Sequence, residues 1–304
     1  MSIPSFKLNT QQEIPAIGLG TWKSERGKVA DAVKVALQNG YRHLDCAWAY
    51  ANEAEVGQGI KDSGVDRKDI FITSKLWSTR HKDAEVALDE TLANLGTDYL
   101  DLYLIHWPWA LIPDGKGTIV THRPDGTRDI DFSVDAPIDT WKAMEKLLQT
   151  GKTRAIGVSN FSIPKLERLL QNATVVPAVN QVENHPYLPQ EDLHEYCKSK
   201  GILMQSYSPL GTNDSPLIND EIISTIAKKH GVETSNVLVS YQVHRGVVVL
   251  PKSVTPSRVI NNLKVVPLDK DDMDTLNNFH KARGGIRRIL TPPWGVPLEF
   301  PDWP

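Results

Sequence analysis

Eight short apolar runs punctuate this chain, and amphipathic stretches of helical period separate them. The runs are AIGLG (16–20), YRHLD (41–45), DIFITSK (69–75), YLDLYLIH (99–106), TRAIGVSN (153–160), PAVNQ (177–181), ILMQSYS (202–208) and GVVVLPKS (246–253). Runs of this length read as buried strands, and their alternation with helical patterns reads as repeated βα units. A polar hairpin over 6–14 precedes them. Helices are expected over 26–39, 52–61, 82–94, 139–149, 162–170, 190–199, 219–230 and 235–243, with a last one starting at Thr255–Pro256. In the first, Val29, Ala32, Val33, Ala36 and Leu37 share one face, and Gly40 supplies the left-handed stop. Such repeats suit an open doubly wound sheet or a closed barrel. The runs end on Asp45, Lys75, His106, Ser159–Asn160, Gln181, Tyr207–Ser208 and Lys252–Ser253. A barrel gathers strand ends at one rim, where chemistry resides, so this placement favours an α/β (β/α)8 barrel.

A chain of 304 residues is long enough for one large domain or two modest ones. No linker or low-complexity tract divides it, so residues 1–304 are read as a single barrel domain. With 34 basic against 37 acidic side chains, the formal charge of −3 gives no general attraction to nucleic acid or an anionic membrane. Lys281, Arg283, Arg287 and Arg288 read as a solvated connection to the C-terminal tail. The N-terminal segment lacks a secretory pattern, and the apolar runs are too short to span a bilayer. Cys46 and Cys197 make no disulfide framework, and two free thiols fit a reducing compartment, so the cytoplasm is expected. His185 has no companions at metal-ligand spacing, and no metal site is expected.

The chemistry rests on Asp45, Tyr50, Lys75 and His106. Taken singly, each has an ordinary structural role: a helix cap, a packed phenol, a solvated lysine, a satisfied core imidazole. Placed after successive strands, all four can face one pocket. Reduction of a carbonyl needs a proton donor and stabilisation of the developing alkoxide. Tyr50 suits the donor, although its reference pKa of about 10 makes it reluctant near neutrality. Lys75 can stabilise the tyrosinate, Asp45 can orient and balance Lys75, and His106 can hold the carbonyl. Cys46, next to Asp45 on a strand, should face the other way.

These residues lie in segments that resemble one family. LDCAWAYANEAEVGQGI (44–60), KLW (75–77), LDLYLIHWP (100–108), GVSNF (157–161), VNQVENHPYL (179–188) and LPKSVTPSRVINN (250–262) are similar to the motifs of the aldo-keto reductases. The likeness spans nearly the whole chain. It implies a TIM barrel, a catalytic tetrad of Asp45, Tyr50, Lys75 and His106, and NADP(H)-linked reduction of aldehydes and some ketones. A retained histidine departs from the steroid double-bond reductases of the same superfamily, where glutamate is common.

No convincing GxGxxG turn is present, and the resemblance instead implies a cofactor bound on the barrel rim. Ser159, Asn160 and Gln181 would anchor the nicotinamide amide, with Tyr207 against its ring and Thr21, Trp22 and Asp45 lining the approach. Ser208 and Leu210 would hold the pyrophosphate side. Lys252, Ser253, Val254, Arg258 and Asn262 would hold the adenosine end. Asn261 stands where the family often carries an acid. PKSVTPSR also reads as a plain strand-to-helix junction, but Lys252 and Arg258 can recognise the extra phosphate of NADPH.

Trp22, Trp48, Tyr50, Trp77, His106 and Trp107 are expected around the substrate. Trp109 and Trp294 lie close by, and several of these rings can equally pack the barrel. Within the family the chain resembles fungal reductases acting on glycerol, glyceraldehyde or sugar-derived carbonyls, in part through its tail, TPPWGVPLEFPDWP (291–304). That tail is expected to close one side of the pocket. An aldopentose reductase and a broad detoxifying aldehyde reductase are neighbouring alternatives. A cofactor-sensing barrel that binds a protein partner, as in the potassium-channel β subunits, is an alternative of another class. The family likeness implies a monomer acting on a small carbonyl or polyol.

Overall fold

The computed structural model describes residues 3–25, 27–212 and 216–303. A hairpin of β1 (Ser5–Lys7) and β2 (Glu13–Pro15) opens the chain. Eight parallel strands follow: β3 (Leu19–Gly20), β4 (His43–Asp45), β5 (Phe71–Leu76), β6 (Leu102–Ile105), β7 (Ile156–Ser159), β8 (Val179–Glu183), β9 (Leu203–Tyr207) and β10 (Val248–Leu250). They pair in sequence order. The ring closes where Ile17 bridges Val249 and the Gly18 N–H donates to the Val249 carbonyl at 2.9 Å. This is the (β/α)8 barrel rather than the open sheet.

The helices follow the expected rhythm. They are α1 (Val29–Gln38), α2 (Glu53–Ser63), α3 (Ala84–Leu95), α4 (Trp141–Leu147), α5 (Ile163–Leu170), α6 (Glu191–Ser199), α7 (Glu221–His230), α8 (Thr234–His244), α9 (Pro256–Asn261), α10 (Lys270–Asn277) and α11 (Phe279–Ala282). The five residues expected on one face of α1 are its buried set, and Gly40 beyond it has φ +105°. The helix expected over 139–149 is in three parts. A π turn, Ala136–Thr140, precedes α4, and a 3-10 turn, Leu148–Thr150, follows it. Two helices not foreseen, α10 and α11, run on after α9.

Strand alternation sorts the core into an inner and an outer layer. Leu102 and Leu104 of β6 join Val179, Val248 and hairpin residues Leu8 and Ile14 in one cluster, so the hairpin plugs the lower barrel. Tyr103 and Ile105 belong to the larger cluster beneath the helices. Gly157 makes the inner packing possible, because a Cβ there would meet the Leu104 side chain and the Val179 carbonyl at 2.7 Å. Apolar side chains thus fill the lower barrel and leave the polar strand ends at its mouth. Among the described residues no helix is long and apolar enough to cross a membrane.

Candidate active site

The polar strand ends converge as expected. Lys75, at the end of β5, is completely buried, and its ammonium donates to Asp45 Oδ1 and Oδ2 at 2.9 and 2.8 Å. It also donates to the Cys46 carbonyl at 2.8 Å and the Tyr50 hydroxyl at 3.2 Å. A buried ammonium is tolerable only with this degree of pairing. Asp45 accepts a further bond, 2.7 Å, from Gln181 Nε2. Tyr50 reaches Lys75 because the 3-10 turn Trp48–Tyr50 folds the chain back after β4. Burial, reinforced by the charge on Asp45, pushes the Tyr50 phenol well above its ordinary range, so the hydroxyl keeps its proton.

His106 ends β6, with its ring edge-on to Tyr50 at 5.8 Å and to Trp77 at 5.0 Å. Burial, then the positive charge on Lys75, holds the imidazole well below its usual range, so it is neutral. Its Nδ1 is buried with no partner among the described residues. Cys46 belongs to the outer core cluster, and burial raises its thiol well above the ordinary value, as suits a side chain turned from the site.

Tyr50 and His106 border a cavity of about 820 Å³. Trp22, Asp45, Trp77, Trp107, Ser159, Asn160, Gln181, Tyr207, Ser208, Leu210 and Lys252 also line it, as the sequence suggested. Asn160 and Ser208 have left-handed backbones, φ 64° and 50°, which bend the chain sharply at the ends of β7 and β9. Tyr207 donates to Asn160 Oδ1 at 2.8 Å, and Asn160 Nδ2 donates to the His106 carbonyl at 2.9 Å. The Ser159 hydroxyl donates to the Gln181 carbonyl at 2.8 Å.

Other expected residues sit outside the lining. Thr21 is buried just behind it, donating to the Asp45 carbonyl at 2.9 Å. Ser253, Val254, Arg258 and Asn262 lie on the β10–α9 junction, with Asn262 buried at the end of α9. Asn213, Asp214 and Ser215, in the loop that follows Leu210, lie outside the described residues, as does Pro304 of the tail. Trp48 is a correction: its indole donates to Glu90 at 2.9 Å and lies beside Arg80, outside the cavity. Successive side chains of a 3-10 turn diverge by about a third of a circle, so Trp48 and Tyr50 face different ways. Ala49 lines the cavity instead.

The lining also holds Ile289 through Pro292, where the tail expected to close the pocket begins, and three residues that sequence reasoning did not place, Lys23, Ile119 and Arg128. Their signal was weak, because long loops bring them in. The tail is fixed by Glu183, whose carboxylate accepts the Ile289 and Leu290 N–H groups at 2.6 and 2.9 Å. His185 spends its Nε2 on the same carboxylate at 2.9 Å, and no metal-binding cluster occurs among the described residues. Arg283 and Arg288 of the basic stretch are paired with Asp220 and Asp302.

Fold and site together define a class, the barrel oxidoreductases. Residues 16–281 match the Aldo/keto reductase family, and the chain belongs to it. Its relatives include a D-galacturonate reductase from Hypocrea jecorina, 48% identical over 99% of each chain. A glycerol 2-dehydrogenase (NADP(+)) from Saccharomyces cerevisiae is 50% identical over 97% of this chain and 96% of that one. Among solved structures, an aldose reductase from Schistosoma japonicum superposes with a TM-score of 0.87 at 40% identity, covering 95% of this chain and 94% of that one.

Proposed function

We propose that this protein reduces aldehydes and some ketones to alcohols with NADPH, acting on small polar or sugar-derived carbonyls such as glyceraldehyde, with glycerol oxidation as the reverse reaction. The observation that carries the reading is the buried Lys75 ammonium, which binds both Asp45 oxygens and the Tyr50 hydroxyl. A protonated phenol next to a fixed cation suits proton donation to a developing alkoxide, because the cation stabilises the phenolate left behind. Neutral His106 is positioned to donate a hydrogen bond to the carbonyl oxygen and so orient it toward Tyr50.

The lining fits a dinucleotide. Gly20 borders the cavity with no side chain, and a Cβ there would crowd the Leu250 carbonyl at 3.2 Å. Ser159, Asn160 and Gln181 would hold the nicotinamide amide, with Tyr207 packing against its ring and Thr21 and Trp22 flanking it. Ser208 and Leu210 would hold the pyrophosphate, and Ser253, Val254 and Asn262 the adenosine end. Lys252 and Arg258 are exposed and carry no ion pair among the described residues, so both charges remain available to the phosphate that distinguishes NADPH from NADH. Bound NADPH supplies the hydride. The names of the glycerol 2-dehydrogenase (NADP(+)) and D-galacturonate reductase relatives support both the coenzyme and a polyhydroxylated substrate. Two buried free cysteines fit the cytoplasm.

The test is a carbonyl panel with purified protein. Consumption of NADPH should be fastest with small polar aldehydes such as glyceraldehyde, and slower with NADH. No turnover of any aldehyde with either coenzyme would refute the reading.

A further inference from the structure

On the Trp107 side of the cavity, one cation has no counter-ion among the described residues. Arg128 lines the cavity from the long loop between β6 and α4, and its side chain is partly buried. Its Nε is fully buried without a hydrogen-bond partner among the described residues. The guanidinium rests on the Trp294 ring, 4.1 Å from the centroid. Trp294 packs against Trp107 at 5.2 Å, and Trp107 stacks on His106 at 6.4 Å. Two indoles therefore separate Arg128 from the imidazole that faces the carbonyl.

The acids on its own loop and on the tail have other partners, Asp114 and Asp125 being bonded to Thr118 and Thr127. On its own loop Asp129 pairs with Arg123 and Asp131 with Lys82. On the tail Glu299 pairs with Lys165 and Asp302 with Arg288. Burial lowers the affinity of Arg128 for its proton, and no acid offsets that effect. A guanidinium held partly out of water without an anion carries a desolvation cost that an anionic ligand would relieve. The aromatic face fixes its plane and leaves its N–H edge free for two-point binding of a carboxylate. A dianionic phosphate would call for more than this one cation, and the other unpaired lining cations, Lys23 and Lys252, belong to the proposed cofactor end.

We propose that Arg128 is a carboxylate-recognition residue, and that aldehydes carrying a carboxylate at the far end of a short hydroxylated chain, as in uronic acids, are favoured over their neutral counterparts. This rests on the reductase reading above and names the substrate class of the same site. The reaction is unchanged: hydride and proton add across the carbonyl, and the carboxylate is a handle that takes no part in bond making.

The experiment compares D-galacturonate with D-galactose, which differ in a terminal carboxylate against a hydroxymethyl group, in wild-type, Arg128→Met and Arg123→Gln proteins. Methionine keeps an apolar stem on Trp294. Arg123→Gln removes a cation from the same loop outside the cavity. In Arg128→Met, the ratio of kcat/KM for the acid to that for the neutral sugar should fall about 10- to 100-fold, the worth of a hydrogen bond to a charged group. The loss should lie mainly in KM, and Arg123→Gln should leave the ratio in place. Quenching of tryptophan fluorescence by D-galacturonate, measured without turnover, should weaken by the same factor. An unaltered ratio and unaltered quenching in folded Arg128→Met would overturn the proposal while glyceraldehyde reduction upheld the reductase reading. Failure of the wild type to reduce glyceraldehyde would instead remove the reading beneath it.

Discussion

Replacing Tyr50 by phenylalanine isolates the proton donor, because it removes one oxygen and keeps the ring that faces His106. Lys75 loses one of its four bonds, the longest at 3.2 Å, and retains both Asp45 oxygens and the Cys46 carbonyl. A bond to a charged group contributes about 1.5–3 kcal/mol to stability, so in a chain of this length the melting temperature should shift by only a few degrees. The Asp45–Gln181 contact is untouched, and NADPH affinity should change little. Chemistry should suffer far more, since a positioned general acid contributes roughly 10²- to 10⁴-fold. The pH profile sharpens the test. Burial and Asp45 raise the phenol's affinity for its proton, so the acid form persists through neutral pH and above, and wild-type kcat/KM for reduction should have no Tyr50-dependent fall between pH 6 and 9. Alcohol oxidation needs the deprotonated form and should rise with pH over the same range. Glyceraldehyde reduction would be followed by NADPH absorbance, with coenzyme affinity from fluorescence titration and folding from circular dichroism. Near-normal turnover in a folded Tyr50→Phe protein would refute Tyr50 as the acid.

Neutralising the rim cations should change coenzyme choice. Lys252→Ala or Arg258→Ala should weaken NADPH binding about tenfold or more while affecting NADH much less, since one charge-assisted bond to the extra phosphate is lost; equal losses in parallel titrations would point to a loop defect. Deleting 291–304 removes Thr291 and Pro292 from the lining and Trp294, Leu298 and Phe300 from the core. The melting temperature should fall while the barrel and NADPH binding persist, and the kcat/KM ranking of glyceraldehyde, an aldopentose and an aromatic aldehyde should change; an unchanged ranking in a folded protein would separate the tail from specificity.

What the sequence made legible depends on how local the signal was. Asp45, Gln181 and Lys252 line one cavity, with Lys75 bonded to Asp45 behind it, because a parallel barrel brings such strand ends to one rim. The outward position of Cys46 followed from alternation alone. Trp48 lies outside the cavity because closeness to Tyr50 in sequence is not closeness in space when a 3-10 turn separates the two rings. Helix α10 carried a readable signal, the reciprocal bonds between Asp269 and Asp272 at its start, yet its polar composition hid it among loop residues. Arg128 had no local signal. It reads as one basic residue in the polar loop RPDGTRD (123–129), and its place depends on how the loop meets the tail.

The link between chemistry and specificity runs through a single strand. Gln181 and Glu183 stand two residues apart on β8, so the pleat turns them to the same side. Gln181 donates to Asp45 and Gln205 inside the mouth, at 2.7 and 2.8 Å. Glu183, one step further out, accepts the first cavity-lining N–H groups of the tail. Burial alone would raise its carboxyl, but the His185 and Ile289 bonds more than offset that, so it lies below the usual carboxylate range and stays charged. The tail is therefore positioned from the strand that also supports the lysine–carboxylate pair. Residues between this clamp and Trp294 can change the shape of the pocket without moving Asp45, Tyr50 or Lys75. That separation gives a physical route by which chains sharing one reductive chemistry accept different substrates.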